Sequence, residues 1–228
     1  MSEERRVVLI GGHGKVALLA APKLVARGFA VDSLIRNPDH SAEITATGAN
    51  PVVLDIENAD VDQLANAFAG ASAIVFSAGA GGGNKERTRA VDFDAAVRSI
   101  EAAKQAGVAR FVMVSYSRAL VDVDQLDPEN SFYTYAKAKH DADAVLRESD
   151  LSYTILGPGA LTLDPASKQI QLADEQGNVG GQAPAPENGK VSRENVAEVI
   201  THVVDTEAAV RATVNFYDGS TPIAEAIS

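Results

Sequence analysis

The sequence predicts an α/β protein built on a doubly wound, mostly parallel sheet. Short apolar segments rich in β-branched residues alternate with longer segments of helical periodicity. The short segments are apolar throughout instead of at every second residue, which indicates strands buried on both faces. Regular alternation of buried strands and helices predicts parallel strands joined by right-handed crossovers.

Six strands are predicted in the first two thirds of the chain. They cover residues 7–10, 30–35, 52–54, 73–76, 111–114 and 152–156. Helices are predicted between them at residues 15–27, 41–47 and 61–68, in a stretch that ends near 107, and at about 131–149.

The C-terminal third departs from this alternation. Residues 157–190 are rich in glycine and proline, which predicts loops on the substrate side of a cleft. Within or after this segment, we expect a strand at 168–173, a helix that Ser192 caps and that runs through 204, and a last strand at 213–217. Without an internal repeat or a linker, residues 1–228 are predicted to form a single domain with a small C-terminal substrate-side region.

The composition limits the classes of function. The formal net charge is −11, which disfavours binding to nucleic acid or to anionic membranes. Cysteine is absent, which excludes disulfides and zinc–thiolate sites, and the four histidines are not spaced as metal ligands. The charged N terminus shows no signal-peptide pattern, and no apolar run has membrane-spanning length. We expect a cytoplasmic monomer or homodimer that binds a small-molecule substrate and no metal.

A glycine-rich segment directly follows the first predicted strand and has the spacing G-x-x-G-x-x-A. Residues without Cβ let a backbone turn approach a diphosphate, and the following helix offers unpaired N–H groups. At a first strand–helix junction this pattern predicts a dinucleotide site, with an ordinary turn as the alternative. The predicted contacts are Gly11, Gly12, His13, Gly14, Lys15 and Val16, with Ala17 as the third small residue. Lys15 is expected either on a phosphate or, more simply, in solvent.

The second predicted strand ends in Arg36. Proteins that select NAD usually place Asp or Glu here, where the carboxylate binds the adenosine ribose. A guanidinium matches a phosphate instead and favours the 2′-phosphate of NADP. Asp32 lies too early in the strand to reach the ribose. We therefore predict NADP, with NAD as the alternative cofactor and a solvated side chain as the alternative role for Arg36.

Two further strand ends point to the same edge of the sheet, because ligands of such folds bind at the carboxyl ends of the strands. Asp55 and Ile56 follow the third strand and are placed to flank an adenine ring. Small residues follow the fourth strand and let a cofactor lie against the backbone; they are Ser77, Ala78 and Gly79.

Two overlapping Y-x-x-x-K pairs occur in the helix at 131–149. At about 100° per residue, Tyr135 and Lys139 share an apolar face with Ala142 and Leu146, so we expect them to face the sheet and its ligand. The other pair is Tyr133 and Lys137, whose face also holds His140, Asp141, Ala144 and Glu148 and is expected in solvent. A tyrosine beside a buried ammonium group is expected to have a lowered pKa and to act as a proton donor.

Hydroxyl groups end the fifth strand, in the segment Ser115-Tyr116-Ser117. A serine at this point can orient a substrate carbonyl group beside Tyr135, although serine at a strand end is often only a turn residue.

Together these motifs resemble the short-chain dehydrogenase/reductase superfamily, and most closely its atypical, NmrA-like NAD(P)H-binding branch. The resemblance covers nearly the whole chain and includes GGHGKVA, LIRNP, Asp55, FSAGAGG, AAKQAGVARFVMVS, YAKAKHDAD, LSYTILGPGAL, VSRENVAEVI and TPIAEAI. It implies a Rossmann-like domain with a Ser-Tyr-Lys set of catalytic residues. That set would be Ser117, Tyr135 and Lys139, with Ser115 as the second choice for the serine.

The resemblance also assigns cofactor contacts. Lys139 would bind the nicotinamide ribose, and the stretch beside the nicotinamide would be Pro158, Gly159, Ala160 and Leu161. One departure is Gly157, which stands where the family usually has arginine. The implied function is an NADPH-dependent oxidoreductase that reduces a small carbonyl, quinone or flavin-like acceptor. The alternatives are a non-catalytic NADP(H) redox sensor that acts on a protein partner and a nucleotide-sugar epimerase-like enzyme.

Overall fold

The computed structural model describes residues 5–81 and 84–228. Residues 1–4 of the charged N-terminal segment and Gly82 of the FSAGAGG motif lie outside this part. The described strands are β1 (Arg6–Ile10), β2 (Ala30–Ile35), β3 (Asn50–Val53), β4 (Ala73–Phe76), β5 (Arg110–Val114), β6 (Ser152–Pro158), β7 (Ala160–Thr162), β8 (Gln169–Ala173), β9 (Lys190–Ser192), β10 (Ala212–Asp218) and β11 (Thr221–Pro222).

The described helices are α1 (Lys15–Ala26), α2 (Ser41–Ala46), α3 (Val61–Phe68), α4 (Lys85–Thr88), α5 (Ala96–Gln105), α6 (Asp122–Gln125), α7 (Tyr133–Glu148), α8 (Arg193–Asp205) and α9 (Ile223–Ala226). A 3₁₀ turn, Pro38–His40, precedes α2, and a π-helical segment, Arg89–Ala95, joins α4 to α5. The expected cap of α8 is confirmed, because the Ser192 side chain accepts a hydrogen bond from the Asn195 N–H group.

The main sheet of the described residues has nine strands in the order β3-β2-β1-β4-β5-β6-β10-β8-β11. Strands β1 to β6 and β10 pair in parallel, whereas β8 is antiparallel to both β10 and β11. The order 3-2-1-4-5-6 confirms the predicted doubly wound, Rossmann-like sheet. Successive strands are added towards one edge of the sheet from β1 to β3 and towards the other edge from β4 to β6. The crossovers therefore diverge between β1 and β4, which opens a crevice at the carboxyl ends of these strands.

Helices cover both faces of the sheet and create two cores. On one face, Ala17 and Ala20 of α1 pack with Val196 and Ile200 of α8. On the other face, α3, α5 and α7 bury their apolar side chains, with Phe68 of α3 as the largest. Every residue of β4 is buried, which explains why its sequence is apolar without alternation.

Residues 157–190 contain the predicted strand at 168–173, which is confirmed as β8, but they have more regular structure than the predicted loops. Strand β6 continues through Pro158, β7 pairs with β9 in a separate two-stranded sheet, and β8 extends the main sheet. Strand β8 buries Ile170 between exposed glutamines, so its pairing depends on contacts with β10 that come from much later in the chain. The third strand also differs slightly from the prediction, because β3 ends at Val53.

Candidate cofactor and active site

The glycine turn between β1 and α1 lines the crevice with backbone atoms that no side chain covers. Gly11 has φ +78°, and a Cβ there would lie 2.6 Å from the Cα of Ala78, so this position requires glycine. Gly14 caps α1 through its backbone alone: within the described residues, α1 has no side-chain cap and no acidic residue in its first turn. The N–H groups of that turn are thus left for an anion, and the residues present fit a cofactor diphosphate.

One predicted contact of this turn lies elsewhere. A Cβ on Gly12 would be 2.6 Å from the Cβ of Ser33, so Gly12 packs against β2 behind the turn and does not line the crevice. Lys15 and Val16 border the part of the crevice next to α7, and Lys15 is exposed. His13 borders the opposite part, where its ring stacks on His40 with centroids 3.5 Å apart.

Arg36, Asp55 and Ile56 meet at one cavity beside the glycine turn, as the sequence predicts. Asp55 also has a structural role, because its carboxylate accepts hydrogen bonds from the Glu57 N–H group and the Asn58 side chain. We call this the adenosine-side cavity, and its lining includes Gly11, His13, Gly14, Arg36, Asp55, Ile56, Glu57, Ser77, Ala78, Gly79 and Arg87.

Asp32 lies away from this cavity, as expected. It pairs with Arg6 and accepts a hydrogen bond of 2.9 Å from Asn50. Glu57 and Arg87 are the acidic and basic side chains of the cavity that sequence reasoning missed. Glu57 directly follows the predicted Asp55-Ile56 pair, so the same strand-end argument applies to it. Arg87 comes from α4, and no local pattern indicates that this helix returns to the third strand.

A second cavity of about 800 Å³ lies on the other side of the turn. Both cavities share Gly14, Ser77, Ala78 and Gly79, which together form one continuous wall. This nicotinamide-side cavity also contains Ser115, Tyr135, Lys139 and Leu161. An extended dinucleotide therefore has a path from Arg36, across the glycine turn, to Tyr135.

The structure separates the two Tyr–Lys pairs as the helical geometry predicts. The Lys139 side chain is buried, donates a hydrogen bond of 2.9 Å to the Val114 carbonyl oxygen, and lies 3.4 Å from Oδ1 of Asp92. Lys137 is exposed and pairs with Asp141 at 2.8 Å. The face of α7 that holds Tyr135 and Lys139 is thus the one that meets the crevice.

The expected direction of the Tyr135 pKa is wrong. Burial raises the pKa of Tyr135, and the opposing charge of Lys139 only reduces this rise. Burial lowers the pKa of Lys139, but its interactions with Tyr135, Asp92 and Asp143 outweigh burial and raise it overall. The protein therefore holds a neutral phenol beside a charged ammonium group.

The two candidate serines have different hydrogen bonds. Ser115 borders the nicotinamide-side cavity, and its hydroxyl donates to Oδ2 of Asp143 at 2.6 Å. The Ser117 hydroxyl lies 3.2 Å from the Tyr217 hydroxyl. Tyr217 donates its one proton to the Gly177 carbonyl oxygen at 2.7 Å, so its oxygen can only accept a hydrogen bond from Ser117. Ser117 does not border the nicotinamide-side cavity but belongs to an adjoining one.

This adjoining cavity has a volume of about 560 Å³, and we call it the acceptor-side cavity. Tyr135, Ser115 and Leu161 border both it and the nicotinamide-side cavity. The predicted loop residues Pro158, Gly159 and Ala160 line only the acceptor-side cavity, in contrast to the expectation that they contact the cofactor directly. They lie there because β6 extends through Pro158 beyond the predicted end of the strand.

Aromatic rings form one wall of the acceptor-side cavity. The ring centroids of Tyr116, Phe132 and Tyr135 are 5.2 to 5.6 Å apart in each pair. Phe132 is 42% exposed and Leu161 is 39% exposed, so the entrance is apolar as well. Such a surface suits a planar, apolar molecule.

Gly157 occupies a position with no room for a side chain. A Cβ there would lie 2.0 Å from Oδ1 of Asn215, and the Asn215 amide donates a hydrogen bond of 2.8 Å to the Asp174 carbonyl oxygen. Asn215 on β10 thus takes the space that the family's usual arginine would need, and it connects β10 to the chain after β8.

Asp143 is a buried carboxylate of the site that sequence reasoning did not identify. It lies one helical turn after Lys139, so the i, i+4 spacing indicates that both side chains share the buried face of α7. Burial raises its pKa to about 6, against the effects of the Ser115 hydrogen bond and the Lys139 charge. Asp143 borders a small cavity together with Tyr116 and Asn215, and its Oδ1 atom has no hydrogen-bond partner within residues 5–81 and 84–228.

Neither a cluster of metal ligands nor a membrane-spanning helix is found in the described residues. Among the described side chains, no group of three His, Asp or Glu residues converges as a metal site. In residues 5–81 and 84–228, no helix combines the length and hydrophobicity that crossing a bilayer requires.

Comparison with known proteins gives consistent matches. The family model described as NAD(P)H-binding matches residues 11–207. The Bacillus subtilis protein YhfK, named "Uncharacterized sugar epimerase", is 32% identical, and the alignment covers 97% of this chain and 98% of YhfK.

Two solved structures share the fold along nearly their whole length. A protein from Bacillus halodurans, named "Putative NAD-dependent epimerase/dehydratase", has a TM-score of 0.84 at 30% identity, covering 97% of this chain and 98% of that protein. The oxidoreductase ylbE from Lactococcus lactis has a TM-score of 0.81 at 25% identity, covering 97% and 94%. Since the family model spans most of the chain and the crevice fits its cofactor, the chain belongs to the NAD(P)H-binding family.

Proposed function

We propose that the protein is an NADPH-dependent oxidoreductase that reduces a small carbonyl, quinone or flavin-like acceptor by hydride transfer. The observation that carries this proposal is the position of Tyr135, which borders both the nicotinamide-side and the acceptor-side cavity. A cofactor in the first cavity and an acceptor in the second would meet beside its phenol group.

Some residues of the chain bind the cofactor, and others act on the acceptor. The glycine turn and the first turn of α1 hold the diphosphate, and Arg36 holds the 2′-phosphate. The reduced nicotinamide supplies a hydride when the cofactor is bound. Ser77, Ala78 and Gly79 bring little side-chain bulk to the wall between the two ends, so the cofactor can lie against the backbone.

Tyr135 supplies the proton in this proposal. Because burial keeps the phenol neutral, it presents a hydroxyl proton to the acceptor oxygen. The Lys139 ammonium, anchored on the Val114 carbonyl oxygen, stabilises the phenolate that remains after proton transfer. A raised Tyr135 pKa disfavours the phenolate before the acceptor arrives, so the charge develops only during the reaction.

The two serines take separate roles. Ser117 borders the acceptor-side cavity, and its hydroxyl can turn from the Tyr217 oxygen to donate a hydrogen bond to the acceptor oxygen. Ser115 donates its hydroxyl hydrogen bond to Asp143, so it presents only lone pairs to the crevice. The aromatic wall of Tyr116, Phe132 and Tyr135 favours a planar acceptor, such as a quinone or a flavin.

The test is NADPH oxidation with a panel of carbonyl compounds, quinones and flavins, measured for wild type and Tyr135→Phe. The variant is expected to lower carbonyl turnover by at least about a hundredfold, because a general acid is lost. Its NADPH affinity is expected to stay within about twofold, since Tyr135 adds no charge to the diphosphate site. Quinone or flavin reduction is expected to fall less, because solvent can supply the proton.

Tyr133→Phe is the matched control, since Tyr133 belongs to the other Tyr–Lys pair and is expected to keep full turnover. Full carbonyl turnover in Tyr135→Phe would contradict the role of Tyr135. Tight NADPH binding without oxidation by any acceptor would contradict the oxidoreductase and support the redox sensor.

A nucleotide-sugar epimerase-like enzyme is the second candidate, and the names given to YhfK and to the Bacillus halodurans protein favour it. An epimerase returns the hydride to the same substrate, so it consumes no cofactor overall. Incubation with a nucleotide sugar, followed by chromatography for an epimer at constant NADPH absorbance, distinguishes the two. We prefer the oxidoreductase because the region after β6 mainly completes the sheet, and the cavity beside Tyr135 is walled by aromatic rings.

A further inference from the structure

We infer that Glu57 sets the choice between NADP and NAD, by competing with the 2′-phosphate of NADP for Arg36 and Arg87. Arg87 would then be a second guanidinium for that phosphate. The inference rests on the binding of a pyridine nucleotide and on the proposed role of Arg36, and it is independent of hydride transfer and of the acceptor.

A single carboxylate oxygen holds both arginines. Oε1 of Glu57 lies 2.9 Å from Nη1 of Arg36 and 2.9 Å from Nε of Arg87. The Arg36 and Arg87 side chains are 55% and 40% exposed, whereas that of Glu57 is only 21% exposed. Both guanidinium groups are therefore partly open to solvent at the adenosine-side cavity, and they share one acidic partner that lines the same cavity.

The charges of this cavity balance before any ligand binds. Among its described lining residues, Arg36 and Arg87 oppose Asp55 and Glu57. The Asp55 carboxylate already accepts two local hydrogen bonds, so Glu57 is the acid that interacts with the arginines. A 2′-phosphate that binds these arginines must approach the Glu57 charge, and this repulsion weakens NADP(H) but not NAD(H), which has only a hydroxyl there.

The backbone of Glu57 is anchored on both sides. Its N–H group donates to Asp55 at 3.1 Å, and its carbonyl oxygen accepts a hydrogen bond of 3.1 Å from Arg98. The Arg87 side chain has an anchor of its own, because its Nη1 atom donates to the Ala80 carbonyl oxygen at 3.1 Å. The turn after β3 thus keeps the Glu57 carboxylate within reach of both arginines.

The test compares adenosine 2′,5′-bisphosphate with adenosine 5′-monophosphate, which differ only in the 2′-phosphate. Calorimetry at one fixed salt concentration would measure both Kd values for wild type and Glu57→Gln. The variant keeps the shape and a hydrogen-bond acceptor but removes the charge. We expect the Kd for the bisphosphate to fall about tenfold and the Kd for the monophosphate to change less than about twofold. The ratio of NADH to NADPH dissociation constants should rise by the same factor.

Two further variants distinguish the effect of a nearby negative charge from that of the guanidinium contact with the 2′-phosphate. Glu86→Gln removes the same charge next to Arg87, from an exposed side chain with no ion-pair partner among the described residues, and should leave the ratio unchanged. Arg87→Lys should weaken the bisphosphate by about fivefold and spare the monophosphate, because a lysine cannot present two parallel donors. Thermal unfolding of each variant would confirm that it is folded.

The inference would be overturned if Glu57→Gln left the ratio unchanged or weakened the bisphosphate, since Glu57 would then only support the arginines. A rise of the NADH-to-NADPH ratio in Glu86→Gln equal to that in Glu57→Gln would overturn it too, because any nearby charge would then suffice. These binding measurements do not depend on hydride transfer. If the protein reduced no acceptor, a changed ratio of the NADH and NADPH dissociation constants would still support the role of Glu57.

Discussion

Ser115 donates a hydrogen bond of 2.6 Å to Asp143, and this contact joins the end of β5 to the buried face of α7 beside the nicotinamide-side cavity. Both side chains are nearly inaccessible to solvent, with Ser115 4% and Asp143 1% exposed. A carboxylate in this position stabilises the charge of Lys139 but is itself poorly solvated, which has consequences for stability against pH.

Asp143→Asn is expected to change how stability depends on pH. Burial raises the pKa of Asp143 to about 6, above the 3.8 of a free aspartate. The folded state thus keeps a proton that the unfolded state has lost, so this contribution is complete at about pH 4 and disappears as the pH rises through about 6. Urea unfolding should show that wild type loses up to about 3 kcal/mol more than the Asn variant between pH 4 and 7.5.

Two results would contradict a raised pKa of Asp143. One is the same pH dependence of the free energy of unfolding in wild type and Asp143→Asn. The other is a variant that is less stable than wild type only at pH 7.5.

Lys139→Met is expected to destabilise the fold, whereas Lys137→Met is a matched control on the same helix. Removing the Lys139 ammonium leaves Asp92 and Asp143 buried without their cation, which should cost about 3–5 kcal/mol. Lys137 has an exposed pair with Asp141, so its loss should cost less than about 1 kcal/mol. Denaturant unfolding at pH 7 measures both, and equal losses would contradict the buried position of Lys139.

The sequence predicted the glycine turn and the orientation of Tyr135 and Lys139 because both follow from local rules. Turn geometry requires glycine at Gly11, and helical periodicity alone separates Lys139 from Lys137. Other features come from contacts between distant segments. The direction of the Tyr135 pKa depends on how deeply the phenol is buried, which no local pattern gives.

The same reason explains the missed and misplaced parts of the site. Arg87 reaches Glu57 only because the chain after β4 returns across the crevice. The predicted strand at 168–173 is confirmed as β8, but its place in the sheet depends on pairing with β10, which begins about forty residues later in the chain. Gly12 fits the predicted motif, but it is fixed by the proximity of Ser33 on β2.

Gly157→Ala is expected to destabilise the protein because the new Cβ would collide with Asn215. The loss should be about 1–3 kcal/mol, the usual range for overpacking a buried site. Gly189→Ala is the control, since its Cβ would meet no atom closer than 3.6 Å. If thermal unfolding showed the same small effect for both variants, the packing of Asn215 against Gly157 would be refuted.

Arg36→Ala is expected to weaken NADPH binding at least about tenfold and NADH binding by less than about threefold, because only NADPH carries the 2′-phosphate. Arg89→Ala removes another exposed arginine, paired with Asp94, and serves as the control. Fluorescence titration of both dinucleotides measures the effect. Equal weakening of NADPH and NADH would assign Arg36 another role.

A crystal structure of the protein soaked with NADPH tests the central claim most directly, because it locates both ends of the cofactor at once. The account predicts the diphosphate on the turn at Gly14, the 2′-phosphate at Arg36, and the nicotinamide ring beside Tyr135 at the border with the acceptor-side cavity. A dinucleotide bound in the reverse direction, or a nicotinamide ring placed away from Tyr135 and Lys139, would contradict it.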